Sequence, residues 1–530
     1  MSHEYIIEAY RMLTEFRVKN LRSLKDTGVV KLSPITILLG ENSSGKSTFL
    51  RAFPLLKQSA ETTTRSSILW FGKYVDFGDF DQALIRKQGE KEIVFSFGLT
   101  VPDVIYYRPI RAPRSSRDKG ASKVTVDLRL ASLGKDGLTR TAGIDLDIEG
   151  NSVRIDISDS NKISSIFVNG EDYSEYCDIY SYSSAVRLLP VIRRKSDPDK
   201  DDMYRTWWSG FCPSEITDDI VEVLKVYSNK RTSADSIASA IFKAVIGSES
   251  EMLIHFKKMF STNTWRNKTL DLGLEDEVFV KFKNLLILAR AGIVIYNLDE
   301  VLDQTFRRVS YIEPIRASAQ RYYRSQDIGV KELDSKGENL AMFLRNLSER
   351  EKNTLDDWSM REFGFRTVVQ FNGGHVNLGV AFDKSKDSHN LADMGFGYSQ
   401  VIPIIIQLWT VLHKPNRNGI EGLSYTCVIE QPELHLHPRM QSKLAEMLVS
   451  VANAAKAANI KFHLVIETHS EVIVNKIGLM TAMGTLKKDD STIVLFSKDP
   501  SAPQTKVEFS GYHENGSLHN WPYGFFDYEV

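Results

Sequence analysis

The segment Gly40-Glu-Asn-Ser-Ser-Gly45-Lys46-Ser47 combines the residue types that hold phosphate. Its two glycines let backbone N–H groups curl around phosphate oxygens, and a following helix aims its positive end at them. Lys46 then reaches the β- and γ-phosphates, and the Ser47 hydroxyl takes one position on Mg²⁺. The spacing predicts ATP and Mg²⁺ as ligands. Gly40, Asn42, Ser43, Ser44, Gly45, Lys46, Ser47 and Thr48 form the phosphate cradle. The apolar run ITILL just before it supplies the strand that such a loop needs.

Three later segments carry chemistry that depends on this one. In Tyr425-Thr-Cys-Val-Ile-Glu430-Gln431-Pro-Glu433 an apolar strand ends in an acid, the Walker B pattern, so Glu430 is expected to hold Mg²⁺ through water. An acid after a strand is by itself only a strand end; beside a phosphate loop it acquires a task. In Leu464-Val-Ile-Glu467-Thr-His469-Ser470 a lone histidine is more often structural, yet its place at a strand end suits a γ-phosphate sensor. In Ala392-Asp-Met-Gly395-Phe-Gly397-Tyr-Ser399-Gln400 small and polar residues open an apolar helix, whose N-terminus can accept a phosphate.

The elements that must position these residues follow from pattern. LTEFRVKNLRSLK reads as strand and turn, and EIVFSFGLTV (Glu92 to Val101) as a strand. Residues 108–123 are basic with Pro and Ser, an exposed loop. Residues 124–172 alternate as strands, and Tyr173 to about Val301 reads as mostly helical. Helices are expected between Gly337 and Gly364, then two strands joined by an NGG turn. Helix and strand alternate from there on, an α/β sheet closing on the N-terminal half. Three spans result: 1–104 with the phosphate loop, an inserted β-plus-helical region at 105–310, and 311–530 with the remaining motifs.

Composition sets the outer bounds. Lys+Arg 67 against Asp+Glu 68 leaves a formal charge of -1, so any nucleic-acid surface must be local. Cys177, Cys212 and Cys427 match no metal or disulfide spacing, as in a reducing cytosol. The N-terminus has no uninterrupted apolar core, and Val401 to Leu412 is shorter than the roughly 20 residues of a membrane span. A cytoplasmic protein without a membrane partner is expected.

Read together, LLGENSSGKSTFLR, ADMGFGYSQ, IEQPELHLHP and IETHSE, with FRVKNLRSLKD before them and NGSLHNWPYGFFD at the end, resemble the ABC-type ATPase heads of the RecF/SMC/OLD group. The resemblance covers about 1–100 and 305–530. It implies an α/β head with a mixed β-sheet core. Gly397, Ser399 and Gln400 would be the signature loop that caps ATP held on a second protomer, so two chains would sandwich two nucleotides. Glu430 would organise Mg²⁺ and His469 would be the switch histidine. His437 would fall near the loop that crosses the dimer interface; His435 and His437 as metal ligands are the alternative, an incomplete set.

One departure is specific. Such heads usually carry a Glu after the Walker B acid to polarise water, and here that residue is Gln431. An amide is no useful base at neutral pH, which predicts slow hydrolysis with ATP mainly a clamp; Glu433 or Glu467 substituting as the base is the alternative. The nearest branch is that of ATPase subunits of bacterial anti-phage systems such as Septu, which also occur beside retrons and act with an HNH-type nuclease. Only 61 residues follow His469 (530 minus 469), too few for an appended nuclease domain of usual size. A homodimer or higher oligomer with a partner nuclease is the first expectation. A RecF-like DNA-repair ATPase and a free-standing ATPase are the alternatives. For DNA or RNA, the candidate surfaces are Arg108 to Lys123 and Arg307 to Arg324, the second interleaved with Tyr311, Tyr322 and Tyr323; ion-paired or solvated faces are the other reading.

Overall fold

The computed structural model describes residues 12–521 apart from 87–88, 103–120, 135–136, 184–187, 196–212, 230, 326–328, 331, 383–386, 414–423 and 499–503. Most of the basic loop expected at 108–123, Cys212 and the end of the C-terminal NGSLHNWPYGFFD segment, from Pro522 on, lie outside the described residues.

The fold is mixed α/β, built on two large sheets with the helix Lys46–Glu61 between them. The first sheet is parallel through five strands, Val309–Ile312, Tyr425–Glu430, Phe462–Glu467, Ile35–Gly40 and Ser491–Lys498 in spatial order. Thr505–Tyr512 and Leu518–His519 close it in antiparallel sense. Ile35–Gly40 and Phe462–Glu467 are buried along their whole length, which is why they read as apolar runs rather than alternations. We call Ile35–Gly40 the P-loop strand, Lys46–Glu61 the P-loop helix, Tyr425–Glu430 the Walker B strand and Phe462–Glu467 the switch strand.

Register in this sheet does the positioning. Glu430 pairs with Glu467, and Glu467 with Leu38, so two strand-terminal acids lie side by side next to the strand that feeds the phosphate loop. Gly40 ends that strand at φ +151°, where a Cβ would lie 2.0 Å from the Phe496 carbonyl oxygen. Only glycine lets the neighbouring strand approach this closely.

The second sheet is antiparallel, with Met12–Leu21 paired to Glu92–Pro102, and it packs phenylalanines onto the P-loop helix. Phe16 lies 5.5 Å from Phe49 and 4.9 Å from Phe53, ring centre to ring centre. Ala121–Ser132 pairs with Glu92–Pro102 along its length, so the strands expected as an insertion extend this same sheet out to Glu171–Asp172. A hairpin, Tyr180–Ser183 with Val191–Arg194, stands where helix was expected; its alternating YSYS has a β period. Helices resume at Ser214, and the 31-residue Glu277–Arg307 helix buries nearly all round against the P-loop helix and the second sheet, with Phe306 edge-on to Phe97 at 5.6 Å.

The Leu340–Arg345 and Glu349–Phe363 helices and the Arg366–Asn372/His375–Ala381 hairpin occur as the pattern predicts, with Gly364 in the left-handed cap position. They pack with the helix Phe396–His413, here the signature helix, in a second core on the other face of the parallel sheet. No helix among the described residues is long and apolar enough to cross a membrane. Replacing Gly40 with Ala is expected to destabilise the fold by about 2 kcal/mol or more, because backbone rather than a flexible side chain blocks the new methyl group. Urea denaturation measures it, and an unchanged midpoint would contradict the close approach.

Candidate functional site

The segment from Gly40 to Ser47 takes the strand, turn and helix form that its residue types require. Gly45 sits at φ +99°, and a Cβ there would meet Leu24 Cδ2 at 2.7 Å. Asn42 and Ser43 are exposed at the tip, while Ser44 is buried and its carbonyl accepts from Thr505 Oγ1 at 2.8 Å. Lys46 opens the P-loop helix, whose first turn holds no acid, so the helix end stays positive. Lys46 is 3% exposed, and its Nζ donates to the carbonyls of Gly40 at 2.9 Å and Glu41 at 2.5 Å. Burial pulls its pKa down, against the attraction of Glu467 and Glu41. A desolvated cation facing a loop of backbone donors is a site for anionic oxygen. Thr48 follows, half-buried on the same helix.

The acid beside Ser47 is Glu467. Ser47 Oγ donates to Glu467 Oε1 at 2.8 Å, and Oε2 is buried with no hydrogen-bond partner among the described residues. Burial drives the Glu467 pKa from its ordinary 4.5 up to about 7; the Ser47 bond opposes this and the neighbouring Glu430 adds to it.

Glu430, expected at the metal, is engaged elsewhere. Arg51 grips it with two bonds, Nε to Oε1 at 2.7 Å and Nη2 to Oε2 at 2.8 Å, and Tyr311 donates its hydroxyl to Oε1 at 2.7 Å. The pairing raises the pKa of Arg51, and burial beside Glu430 raises that of Tyr311. Arg51 lies four residues after Ser47, one helical turn further along the same face, so the spacing could have disclosed it. Tyr311 could not be found this way, since it comes from the neighbouring parallel strand.

After the Walker B strand the chain turns sharply. Gln431 adopts φ +41° and its N–H donates to the Glu467 carbonyl at 2.8 Å. Glu433 accepts the backbone N–H of His469 at 2.7 Å, and burial pushes its pKa upward. His469 reaches the surface, but the partial burial of its ring lowers its pKa, and the Lys46 charge lowers it further. His437 caps the Pro438–Ala457 helix, its Nδ1 accepting from the Arg439 N–H at 3.3 Å, which gives that ring a structural task.

The signature residues are divided between positions. Gly397 lies against the turn after Walker B, where a Cβ would come within 3.5 Å of Leu436 and 3.6 Å of the His435 oxygen. Ser399 is buried, and Gln400 is fully buried, its carboxamide bonded to both backbone groups of Arg316 at 3.2 Å.

The structure divides the Arg307 to Arg324 group, leaving Arg307, Arg321, Tyr322 and Arg324 exposed. Arg307 pairs with Asp303 and the Ala60 carbonyl, Arg308 stacks on Tyr425 at 5.2 Å, and Arg321 pairs with Asp393. Arg316 and Tyr311 are interior.

A cavity that the motifs did not disclose opens beside the phosphate loop. It measures about 630 Å³ and is lined by Arg22, Ser23, Phe77 and Gln504 among others. Arg22 lies 4.3 Å over the Phe77 ring. Ser23 ties it to the loop, touching the Gly45 position and accepting from the Thr505 N–H through its carbonyl.

A family model described as an AAA ATPase domain matches residues 12–474. Among solved structures, the chain is similar to the Smc head domain of Pyrococcus furiosus, solved with an extended coiled coil and bound to the C-terminal domain of ScpA. Identity is 13% over 94% of this chain and 96% of that chain, with a TM-score of 0.33. The SMC head domain from Thermotoga maritima gives 9% identity over 94% and 98%, with a TM-score of 0.34. No curated protein sequence matches.

Glu467 binds its proton more tightly folded than unfolded. Its contribution therefore favours the fold at low pH and is lost as pH rises from about 4.5 to about 7. In nucleotide-free, Mg²⁺-free buffer, Glu467→Gln is expected to gain stability at about pH 8 relative to about pH 5, by about 1–3 kcal/mol. Denaturant titrations at the two pH values measure this; equal gains would contradict the buried, proton-hungry carboxylate.

Proposed function

The chain belongs to the AAA ATPase domain family, and from that membership and the site geometry we propose that it is an ATP-gated clamp that hydrolyses slowly. What carries the reading is the bond of Ser47, next to the buried Lys46, to a buried acid, together with an amide at Gln431 where a base is needed.

The residues present fit Mg²⁺ and ATP. The Ser47 hydroxyl and the unsatisfied Glu467 Oε2 are hard oxygen donors of the kind Mg²⁺ takes. When bound, Mg²⁺ neutralises charge on the phosphate oxygens. Glu430 stands behind Glu467, held by Arg51 and Tyr311, and serves the metal only once that grip opens. Lys46 and the loop N–H groups bind the phosphates, and His469 reads the terminal one. The cavity under Arg22 and Phe77 takes the base and ribose, with Arg22 also within reach of negative charge. Gly397 and Ser399 cap the nucleotide of a second copy, which makes the active unit at least a homodimer.

Hydrolysis needs a proton acceptor for water, and general-base help is worth roughly 10²–10⁴ in rate. Gln431 offers none. Glu467 spends one oxygen on Ser47 and would give the other to Mg²⁺, and Glu433 is tied to the His469 N–H. The state with ATP bound is therefore long-lived, suited to signalling rather than to work. In the wider reading this clamp is the regulatory subunit of an anti-phage complex whose nuclease is a separate HNH-type chain. The resemblance of the motifs to the Septu branch supports that part. It predicts that the chain, affinity-purified from its native host, brings down a nuclease whose activity responds to ATP; a nuclease activity intrinsic to this chain would contradict it.

The test of the clamp is turnover. The purified protein is expected to hydrolyse ATP at below about 1 s⁻¹, and Gln431→Glu to raise that rate at least about tenfold. A faster native rate, or no gain in the variant, would overturn the slow clamp. Arg22→Ala is expected to weaken ATP binding about tenfold by titration calorimetry while leaving Mg²⁺ dependence intact; unchanged affinity would remove the cavity from the site.

A further inference from the structure

Arg316 is the most deeply buried arginine among the described residues, 1% exposed, four residues beyond the Val309–Ile312 strand. Its Nη2 donates to the Glu430 carbonyl at 3.0 Å, while Nε and Nη1 are buried with no hydrogen-bond partner among the described residues. Both backbone groups of the same residue are held by one side chain. Gln400 Oε1 accepts the Arg316 N–H, and Gln400 Nε2 donates to the Arg316 carbonyl, each at 3.2 Å. Gln400 directly follows Ser399 in the first turns of the signature helix. The charge of Arg316 is felt by Glu433 and Glu430, and Glu433 holds the His469 backbone.

We propose that Arg316 is a positioning residue that couples the signature helix to the Walker B turn and, through Glu433, to His469. The proposal rests on the shared-site reading above. A buried guanidinium costs several kcal/mol to desolvate, so packing alone would be served better by an apolar residue of the same volume. Buried donors without partners are rare, and two on one cation leave it able to gain bonds from a small displacement. The bidentate hold of Gln400 removes slack. A shift of the signature helix moves the Arg316 backbone with it, and the guanidinium then pulls on the Glu430 carbonyl at the start of the turn that carries Gln431 and Glu433. Contact of a partner's nucleotide with Ser399 thus reaches the catalytic end of this chain through one residue rather than through the P-loop.

Turnover and ATP affinity of the full chain, of Arg316→Lys and of Gln400→Met are measured across a range of protein concentration. Wild-type turnover per chain that does not rise with concentration would refute the shared site itself, and the coupling with it. Given that rise, the coupling predicts a kcat lowered about tenfold or more in each variant, KM changed by less than about twofold, and a double variant no slower than the slower single one. A merely structural role would lower ATP affinity and thermal stability together, with effects that add. That outcome, or wild-type kcat in both variants, would overturn the proposal while leaving the shared site standing. Gln400→Glu, which keeps the acceptor for the Arg316 N–H and loses the donor, takes the place of Gln400→Met if that variant does not fold.

Discussion

Two carboxylates, Glu430 and Glu467, stand in register at the ends of adjacent parallel strands, beside the strand that ends in Gly40. Placing two like charges side by side in the interior is costly unless each has a partner of its own. The structure resolves the conflict unequally. Glu430 receives Arg51 and Tyr311, whereas Glu467 receives a single serine hydroxyl and responds by taking up a proton more readily. Much of the site follows from this division. It keeps one acid fixed, leaves the other short of partners beside Ser47, and ties the P-loop helix to both strands through Ser47 and Arg51.

The same constraint explains why the parallel sheet must be covered on both faces. Phenylalanines from the antiparallel sheet and the long Glu277–Arg307 helix exclude water on one side, and the signature helix with Trp409 and the Pro438–Ala457 helix does so on the other. In that low-dielectric setting a mobile cation or phosphate has a large effect on the acids and on Lys46. The fold is thus less a scaffold around a pocket than a means of keeping Glu467 and Lys46 poorly solvated.

The phosphate loop and the strands that flank it were legible in the sequence because each depends on local chemistry. Gly40 and Gly45 are demanded by close approach and positive φ, and fully buried parallel strands write themselves as unbroken apolar runs. Which acid meets Ser47 was not legible, since it depends on strand register rather than on order along the chain. The Arg307 to Arg324 cluster is split for a related reason. Neighbours in sequence diverge in space when a strand end and a turn lie between them, and Arg316 went to the core while Arg321 went to the surface. Tyr311 and Arg22 carry no motif, and only the third dimension brings them to Glu430 and to the loop.

The central claim is that ATP, held in a half-site and hydrolysed slowly, joins two copies of the chain. Sedimentation velocity of the purified protein with Mg²⁺-ATP and with Mg²⁺-ADP tests it most directly. The account predicts twice the monomer mass with ATP and the monomer mass with ADP. The same mass in both nucleotides would contradict it.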